Sequence, residues 1–383
     1  MIRWASPRTP DHRLAAVALA RSALAGDWNN PPLHLALARA LAGAGKLEEA
    51  EAGLRDALAL LPDHEALHEE LAFVLARQGQ VEAALACAHG REASWASPFA
   101  FKLLVREGRR AETEALEAGV EAVAPADSDL LESRAKRSRD DPERLLRLSE
   151  DVLGHDPGAA HALYYKALAL AQLGRAEESA AVMGLDRFLS VASLPAPPGF
   201  GGEEAFRETL RGEILANPVL VRDPAGHATR SGLRTRTFPA AADCAAEALV
   251  GAIREAISAY AEALSGDHPF VRARPARAKM IQWALVFSGD GRQLAHHHPG
   301  SWLTGVYYVS ARVGSTGPGA PAPGAIRIGI LPDWAGVEPP WLVREIEPVP
   351  GTLLLFPSFV PHETVPPGEG AERISVAFDV AVA

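Results

Sequence analysis

The chain has 383 residues, of which 48% are hydrophobic and 22% charged, and its formal net charge at pH 7 is -10. Such a length is enough for two domains with separate cores. The negative charge argues against a nucleic-acid partner, because phosphate contacts need clustered Lys and Arg. No stretch reaches the roughly 18 uninterrupted apolar residues that would span a bilayer. Cys87 and Cys244 lie in Ala-rich segments that do not indicate a disulfide. We therefore expect a cytoplasmic protein without a nucleic-acid or membrane partner.

The first half of the chain predicts helices that repeat with a fixed period. It is rich in Ala, Leu, Glu and Arg, with apolar residues at helical spacing. Gly45 and Gly79 are 34 residues apart, and the same offset separates Ala50 from Ala84. That period is typical of the tetratricopeptide helix-turn-helix unit. We predict an all-α tetratricopeptide solenoid over residues 1–192, and a solenoid of this kind commonly binds a peptide or protein on its concave surface.

The segment "HEALH" inside the repeats spells the H-E-x-x-H pattern of zinc peptidases. His68, its second histidine, occupies the same repeat position as His34, and Glu65 is an ordinary residue for the first turn of a helix. We interpret the segment as part of a repeat and not as a peptidase site.

The pattern changes at residues 193–204, where the Pro- and Gly-rich "SLPAPPGFGGE" predicts a linker. Residues 205–383 contain helices and then short β-branched and aromatic runs, among them "MIQWALVFS", "WLTGVYYVS" and "RISVAFDVAV". Such runs, separated by turn residues, predict a β-sandwich or barrel with flanking helices. The fold class is therefore α+β in two domains.

Histidines near the end of one predicted strand suggest a metal site. Successive side chains on a strand alternate between faces, so His296 and His298 point together while His297 points away. His362 follows another apolar strand in a Pro-flanked turn and supplies a third donor. The competing interpretation is a solvated loop and a histidine that caps a strand.

The last predicted strand carries a further candidate group. Its alternation places Arg373 and Ser375 on one face. A guanidinium and a hydroxyl beside a metal suit a carboxylate ligand. The alternative is an ion pair between Arg373 and a carboxylate such as Asp379 or Glu372.

Three motifs in this order carry a family resemblance: "H-x-H-P-G-x-W-L-x-G-V-Y-Y-V", "G-x-L-L-L-F-P-S-x-x-x-H-x-x-x-P" and "R-I-S-x-A-F". They resemble the 2-oxoglutarate and iron(II)-dependent oxygenases of the prolyl-hydroxylase-like superfamily, in the branch where this domain follows tetratricopeptide repeats. The resemblance covers most of residues 205–383. It implies a double-stranded β-helix, a jelly-roll or cupin-like fold with the metal at one mouth.

The resemblance also implies roles for single residues. It implies the metal ligands and catalytic residues His296, His298 and His362, and the 2-oxoglutarate-binding residues Arg373, Ser375 and Tyr308. Tyr308 is preferred to Tyr307 because the second tyrosine of such a pair takes this role in related prolyl hydroxylases. Most of the superfamily has Asp or Glu where this chain has His298, so the metal preference stays open between iron and zinc, copper or nickel.

The resemblance implies an enzyme with Fe(II) as cofactor and 2-oxoglutarate and O2 as co-substrates. It would hydroxylate a peptide, protein or small molecule while 2-oxoglutarate is converted to succinate. One alternative is an interaction protein whose oxygenase domain is degenerate. Another is a three-histidine cupin-type dioxygenase that does not use 2-oxoglutarate and has no role for Arg373. Three roles stay open for the repeats: binding of a substrate protein, shielding of the catalytic domain, and formation of a homo-oligomer.

Overall fold

The computed structural model describes residues 2–5, 10–89, 96–124, 128–217, 220–222, 228–235, 238, 244–314 and 321–383. The chain forms two compact units, Pro7–Ser133, termed the helical unit, and Met1–Ser6 with Arg134–Ala383, termed the β unit. Within the described ranges, no helix is both long enough and apolar enough to cross a membrane.

The helical unit is a succession of antiparallel helix pairs. Its helices are α1 (Pro10–Gly26), α2 (Pro31–Gly43), α3 (Leu47–Leu60), α4 (Glu65–Arg77), α5 (Val81–Ala88), α6 (Ala96–Arg106), α7 (Arg110–Val123) and α8 (Ser128–Arg137), the last of which continues into the β unit. Small residues lie where helices approach each other, and Ala50, Ala57 and Ala84 are fully buried. Their short side chains allow the close packing that the repeat requires.

Glycines in the left-handed conformation follow α2, α4 and α6, and another follows the helix Ala160–Gln172 of the β unit. Gly45, Gly79, Gly108 and Gly174 have φ values of 80°, 79°, 71° and 73°. Glycine adopts this conformation without the penalty that a Cβ imposes, and it commonly ends helices in this way. The predicted repeat is confirmed by these turns. Gly108 marks a further turn of this type between α6 and α7.

The histidines of "HEALH" have the environment that the repeat predicts. The His68 Nε2 atom donates to the Pro62 carbonyl at 2.7 Å, as the His34 Nε2 atom donates to the Trp28 carbonyl at 2.7 Å. His64 is instead the residue that precedes α4 as its N-cap. The two equivalent bonds, each to a carbonyl six residues earlier, show a structural role for His34 and His68.

The β unit begins with helices and ends with sheets. Its helices are α9 (Pro142–His155), α10 (Ala160–Gln172), α11 (Ala176–Met183), α12 (Leu185–Phe188), α13 (Glu203–Leu215), α14 (Ala245–Ala263) and α15 (Pro269–Arg272), with a 3-10 turn at Asp333–Ala335. Its strands are β1 (Arg3–Trp4), β2 (Ser190–Ser193), β3 (Leu220–Arg222), β4 (Thr229–Thr235), β5 (Arg277–Gln293), β6 (Leu303–Arg312), β7 (Ile326–Ile328), β8 (Arg344–Ile346), β9 (Thr352–Pro357), β10 (His362–Thr364) and β11 (Gly368–Val382).

Two sheets form the predicted double-stranded β-helix. The larger has the order β2-β9-β6-β11-β5-β4-β3, with β1 also paired to β5, and the smaller has the order β10-β7-β8. Every pairing is antiparallel except that of β1 with β5. The long strands β5 and β11 lie side by side at the centre of the larger sheet, so residues near their ends are held by neighbours on both sides.

The compact units do not divide at the predicted linker, residues 193–204. The division lies instead between Ser133 and Arg134. Two contacts explain why helices before the linker group with the sheets: the Gln172 side chain of α10 donates to the Ala335 carbonyl at 3.0 Å, and β2 pairs with β9. The change of composition therefore marks the point where helices give way to strands. It does not mark the boundary between the two compact units.

We predict that Ala57→Leu destabilises the helical repeats. Ala57 is fully buried on α3, so added side-chain atoms must displace neighbours, at a cost of about 1–3 kcal/mol. Ala59→Leu on the exposed face of the same helix should change stability little, because Leu and Ala have similar helix propensities. Urea denaturation followed by circular dichroism measures both variants. Equal stabilities of the two variants would contradict the packing argument.

Candidate metal centre

Backbone hydrogen bonds bring the three candidate histidines together. His296 follows the end of β5 and forms an antiparallel bridge with His362 at the start of β10. The two residues exchange amide-to-carbonyl bonds of 3.0 and 2.9 Å. The His298 amide donates to the Ser358 carbonyl at 2.8 Å. The main chain therefore fixes all three positions independently of any bound ion.

Their ligand atoms lie within 4.8 Å of one another. On each ring the Nδ1 atom already has an oxygen partner: the Leu294 carbonyl for His296 at 2.7 Å, the Val360 carbonyl for His362 at 3.1 Å, and Asp379 Oδ2 for His298 at 2.9 Å. A carbonyl oxygen accepts only, so Nδ1 of His296 and His362 must carry the proton and donate. Nε2 then keeps its lone pair as the atom available to a metal.

Burial favours the neutral imidazole at His296 and His362. Burial, followed by the neighbouring His298, lowers the pKa of His296 to about 4. Burial, followed by His296 and His298, also lowers the pKa of His362 well below its usual value. A neutral imidazole is the form that binds a metal, because protonation removes the lone pair. Three Nε2 donors on one side of an ion suit a divalent transition metal, including iron(II), and leave further coordination positions open.

Arg373 is a buried cation near this cluster. Its side chain is only 1% exposed, its Nη1 donates to the Gly324 carbonyl at 2.6 Å, and its Nε has no partner among the described residues. Burial lowers the pKa of Arg373. The predicted alternative, an ion pair with Glu372 or Asp379, is not formed: Glu372 accepts from Arg211 at 2.8 Å, and Asp379 contacts His298. The guanidinium is thus left to an anionic ligand.

Tyr308 lies on the same face as Ser375. The two residues are cross-strand partners, because a register shift in the pairing of β11 with β6 follows Ile374. Such partners project their side chains to the same side of a sheet. The Tyr308 hydroxyl is buried without a partner in the described structure, and burial raises its pKa to about 12. Tyr307 pairs with Val376 on the other face and is buried.

One pocket of the β unit connects the two groups of residues. His298 and His362 line it together with Arg373, Ser375 and Tyr308. A ligand in this pocket can therefore touch the imidazoles of His298 and His362 and the buried guanidinium at the same time. The structure brings together every site residue that the sequence predicted, and their roles stay predictions.

Sequence reasoning missed two contacts near the cluster, that of His161 with His297 and that of Asp379 with His298. His297, which was expected to point away from His296 and His298, lies with its Nε2 2.8 Å from His161 Nδ1 on α10 and with its ring 4.4 Å from that of Tyr164. Because His161 is 136 residues away, no local pattern pointed to it. Asp379 was considered only as a partner for Arg373. Alternation along β11 puts Asp379 on the same face as Arg373 and Ser375, and this pattern could have shown that Asp379 lies near the site.

Solved structures with similar folds are of two kinds. A Pseudomonas putida prolyl-4-hydroxylase is 20% identical at a TM-score of 0.36, covering 52% of this chain and 96% of its own. A Trichoplax adhaerens prolyl hydroxylase in complex with a hypoxia inducible factor peptide is 16% identical at 0.35, covering 55% and 91%. The tetratricopeptide protein YrrB is 16% identical at 0.34, covering 45% and 93%. At these values the likenesses carry no argument about function.

The family comparison concerns the segment that holds the site. No curated protein matches the chain. A family model described as "Putative 2OG-Fe(II) oxygenase" matches residues 281–379. This segment runs from β5 to β11 and includes the three histidines, Arg373 and Tyr308. The segment that holds the candidate metal centre is therefore similar to the 2-oxoglutarate and iron(II)-dependent oxygenases.

Proposed function

We propose that the protein is a hydroxylase that converts 2-oxoglutarate and O2 to succinate and carbon dioxide while it inserts an oxygen atom into a C–H bond of a substrate. One observation carries the proposal. Arg373 is buried without a carboxylate partner in the described structure, and it lines the same pocket as His298 and His362. A ligand that carries a carboxylate at one end and metal-chelating oxygens at the other fits this arrangement.

The residues of the chain bind and orient the reactants. The Nε2 atoms of His296, His298 and His362 would hold iron(II). Bound iron(II) would supply the activation of dioxygen and the transfer of electrons. Arg373 would bind the distal carboxylate of 2-oxoglutarate through its guanidinium, and Tyr308 would donate its phenolic proton to the same carboxylate. Apolar side chains that also line the pocket, such as Leu285 and Phe356, exclude water from the reaction.

The three-histidine ligand set links metal binding to co-substrate binding. Neutral imidazoles leave both positive charges of a divalent metal uncompensated, and 2-oxoglutarate is a dianion. Bound metal should therefore raise the affinity of the protein for 2-oxoglutarate, and bound 2-oxoglutarate should raise its affinity for the metal, since thermodynamic coupling is reciprocal. A site of this kind is consistent with an oxygenase in which 2-oxoglutarate completes the metal's coordination.

A polypeptide is the substrate we favour, with a small molecule as the alternative. The repeat turns at Gly45 and Gly79 support a solenoid, and solenoids commonly bind extended peptides on their concave face. The repeats would then recruit the protein whose side chain is hydroxylated. The two competing functions make different demands on Arg373: a cupin-type dioxygenase has no use for a buried guanidinium, and an interaction protein needs neither Arg373 nor the histidines.

We predict that the protein binds iron(II) under anaerobic conditions and that His362→Ala weakens this binding by at least about 100-fold, because it removes a ligand atom. His68→Ala is the matched control, since His68 bonds a carbonyl within a repeat. Anaerobic titration with a chromophoric chelator as competitor measures both affinities. Equal affinities of the two variants would contradict the assigned site.

We predict that Arg373→Gln retains iron(II) but loses the visible charge-transfer band that a chelated 2-oxoacid gives. Removal of a buried charged partner costs about 2–5 kcal/mol, or about 30-fold or more in the affinity for 2-oxoglutarate. Tyr308→Phe removes one hydrogen bond and should cost about 0.5–1.5 kcal/mol. Titration of each iron-loaded variant with 2-oxoglutarate measures the loss.

Arg211→Gln is the control for this experiment, because Arg211 pairs with Glu372 beside Arg373 and does not line the pocket. It should keep both the band and the affinity. If Arg373→Gln behaves like Arg211→Gln, the three-histidine dioxygenase without 2-oxoglutarate becomes the better function. If the unmodified protein binds iron(II) but consumes no 2-oxoglutarate with any peptide tested, the interaction protein gains support.

A further inference from the structure

The three candidate ligands do not have equivalent partners. The Nδ1 atoms of His296 and His362 donate to neutral carbonyls, whereas His298 Nδ1 lies 2.9 Å from a carboxylate oxygen of Asp379. A hydrogen bond to a charged acceptor is shorter and stronger than one to a carbonyl. Only His298 of the three therefore has a negatively charged group behind its ring.

The fold holds Asp379 in this position. It lies on β11 two residues beyond Ala377, so strand alternation puts its side chain on the face of Arg373 and Ser375. Its main chain is paired with Ile281 of β5 on one side and Thr304 of β6 on the other. The His298 and Asp379 side chains are 15% and 13% exposed, so solvent screens their interaction weakly.

The Asp379 carboxylate can accept a further hydrogen bond besides the one from His298. Its Oδ1 atom is buried and has no partner within the described structure. The guanidinium of Arg234 lies over the Trp283 ring, 4.3 Å from its centroid, and the Trp283 ring stacks on that of His298. Burial lowers the pKa of Arg234 to about 10, and the charge of Asp379 partly offsets that lowering. The carboxylate therefore lies in a buried polar environment beside the ring.

We propose that Asp379 is a positioning residue that supplies, through the His298 ring, the negative charge that a carboxylate ligand would otherwise supply to the metal. The inference rests on the proposed metal site. A carboxylate that accepts the Nδ1 proton increases the electron density at Nε2 and so strengthens its bond to a cation. The same bond fixes the ring in the orientation and tautomer that ligation requires. His298 thus acts as a more anionic donor than His296 or His362.

Two variants of Asp379 separate charge from orientation. Asp379→Asn keeps an oxygen that accepts from Nδ1 but removes the charge, and Asp379→Ala removes both. Changes to such outer partners typically weaken metal binding by about 10- to 100-fold. We expect a loss in this range for Asp379→Asn and an equal or larger loss for Asp379→Ala, with partial recovery in Asp379→Glu. Affinities for cobalt(II) and iron(II) without 2-oxoglutarate are the first measurement.

Glu363→Gln is the matched control. Glu363 follows the ligand His362 but pairs with Arg327 at 2.7 Å, so its substitution removes a neighbouring negative charge without touching a ligand ring. It should keep the metal affinity of the unmodified protein within about twofold, since a charge pair at the surface contributes little. A loss in Glu363→Gln equal to that in Asp379→Asn would show that general charge matters and would overturn the specific role of Asp379.

A spectroscopic readout distinguishes electron donation from stability. In the iron(II) and 2-oxoglutarate complex, a metal with less electron density has its metal-to-ligand charge-transfer band at shorter wavelength. Asp379→Asn should therefore shift this band to shorter wavelength, and Glu363→Gln should leave it in place. A lower melting temperature of Asp379→Asn with unchanged affinity and band position would mean that Asp379 merely stabilises β11, and it would overturn the proposal.

A double-mutant cycle gives the sharpest test. His298→Asp places a carboxylate directly at the ligand position, so charge relayed from Asp379 is no longer needed and two carboxylates become neighbours. In that background Asp379→Asn should leave metal affinity unchanged or raise it, the reverse of its effect in the unmodified protein. An equal loss in both backgrounds would overturn the proposal. Failure of the unmodified protein to bind metal would instead overturn the proposed function itself.

Discussion

The antiparallel bridge between His296 and His362 is the interaction on which the site depends. It joins the end of β5 to the start of β10, and so connects the larger sheet to the smaller one. The paired amide-to-carbonyl bonds hold the rings of His296 and His362 with centroids 4.4 Å apart. A site built on main-chain bonds is preorganised, so little conformational entropy is lost when an ion binds. The same bridge makes the affinity for metal sensitive to the packing of both sheets.

The second constraint is the buried positive charge of Arg373. An uncompensated buried cation destabilises a fold unless hydrogen bonds or a bound anion offset the desolvation. Here one bond to the Gly324 carbonyl offsets part of the cost, and Nε is left without a partner in the described structure. The remaining cost favours any anion that enters the pocket. An anion bound there would also stabilise the β unit, because it would satisfy a group that the described residues leave unsatisfied.

Much of this arrangement was predictable from local patterns. The period of the turn glycines gave the repeat, and alternation along the last strand correctly put Arg373 and Ser375 on one face. Alternation applied two steps further along the same strand would have placed Asp379 on that face too. The partner of Asp379 was not predictable, since it depends on how the His298 ring turns. Nor was the contact of His297 with His161, because a tertiary contact over 136 residues leaves no periodic trace in the sequence.

The boundary of the compact units has the same explanation. Composition changes at residues 193–204 because helical repeats give way to strands, but compactness depends on contacts, and α10 contributes His161 to the surroundings of the histidine cluster. That helix belongs to the repeats by pattern and to the β unit by packing. The ring of His297 contacts those of His161 and Tyr164 of α10, while the residues on either side of it are candidate metal ligands. The loop that carries two of the candidate ligands therefore contacts both α10 and β10. A substitution in α10 would therefore alter the positions of the candidate histidines, an effect that the composition of α10 gives no reason to expect.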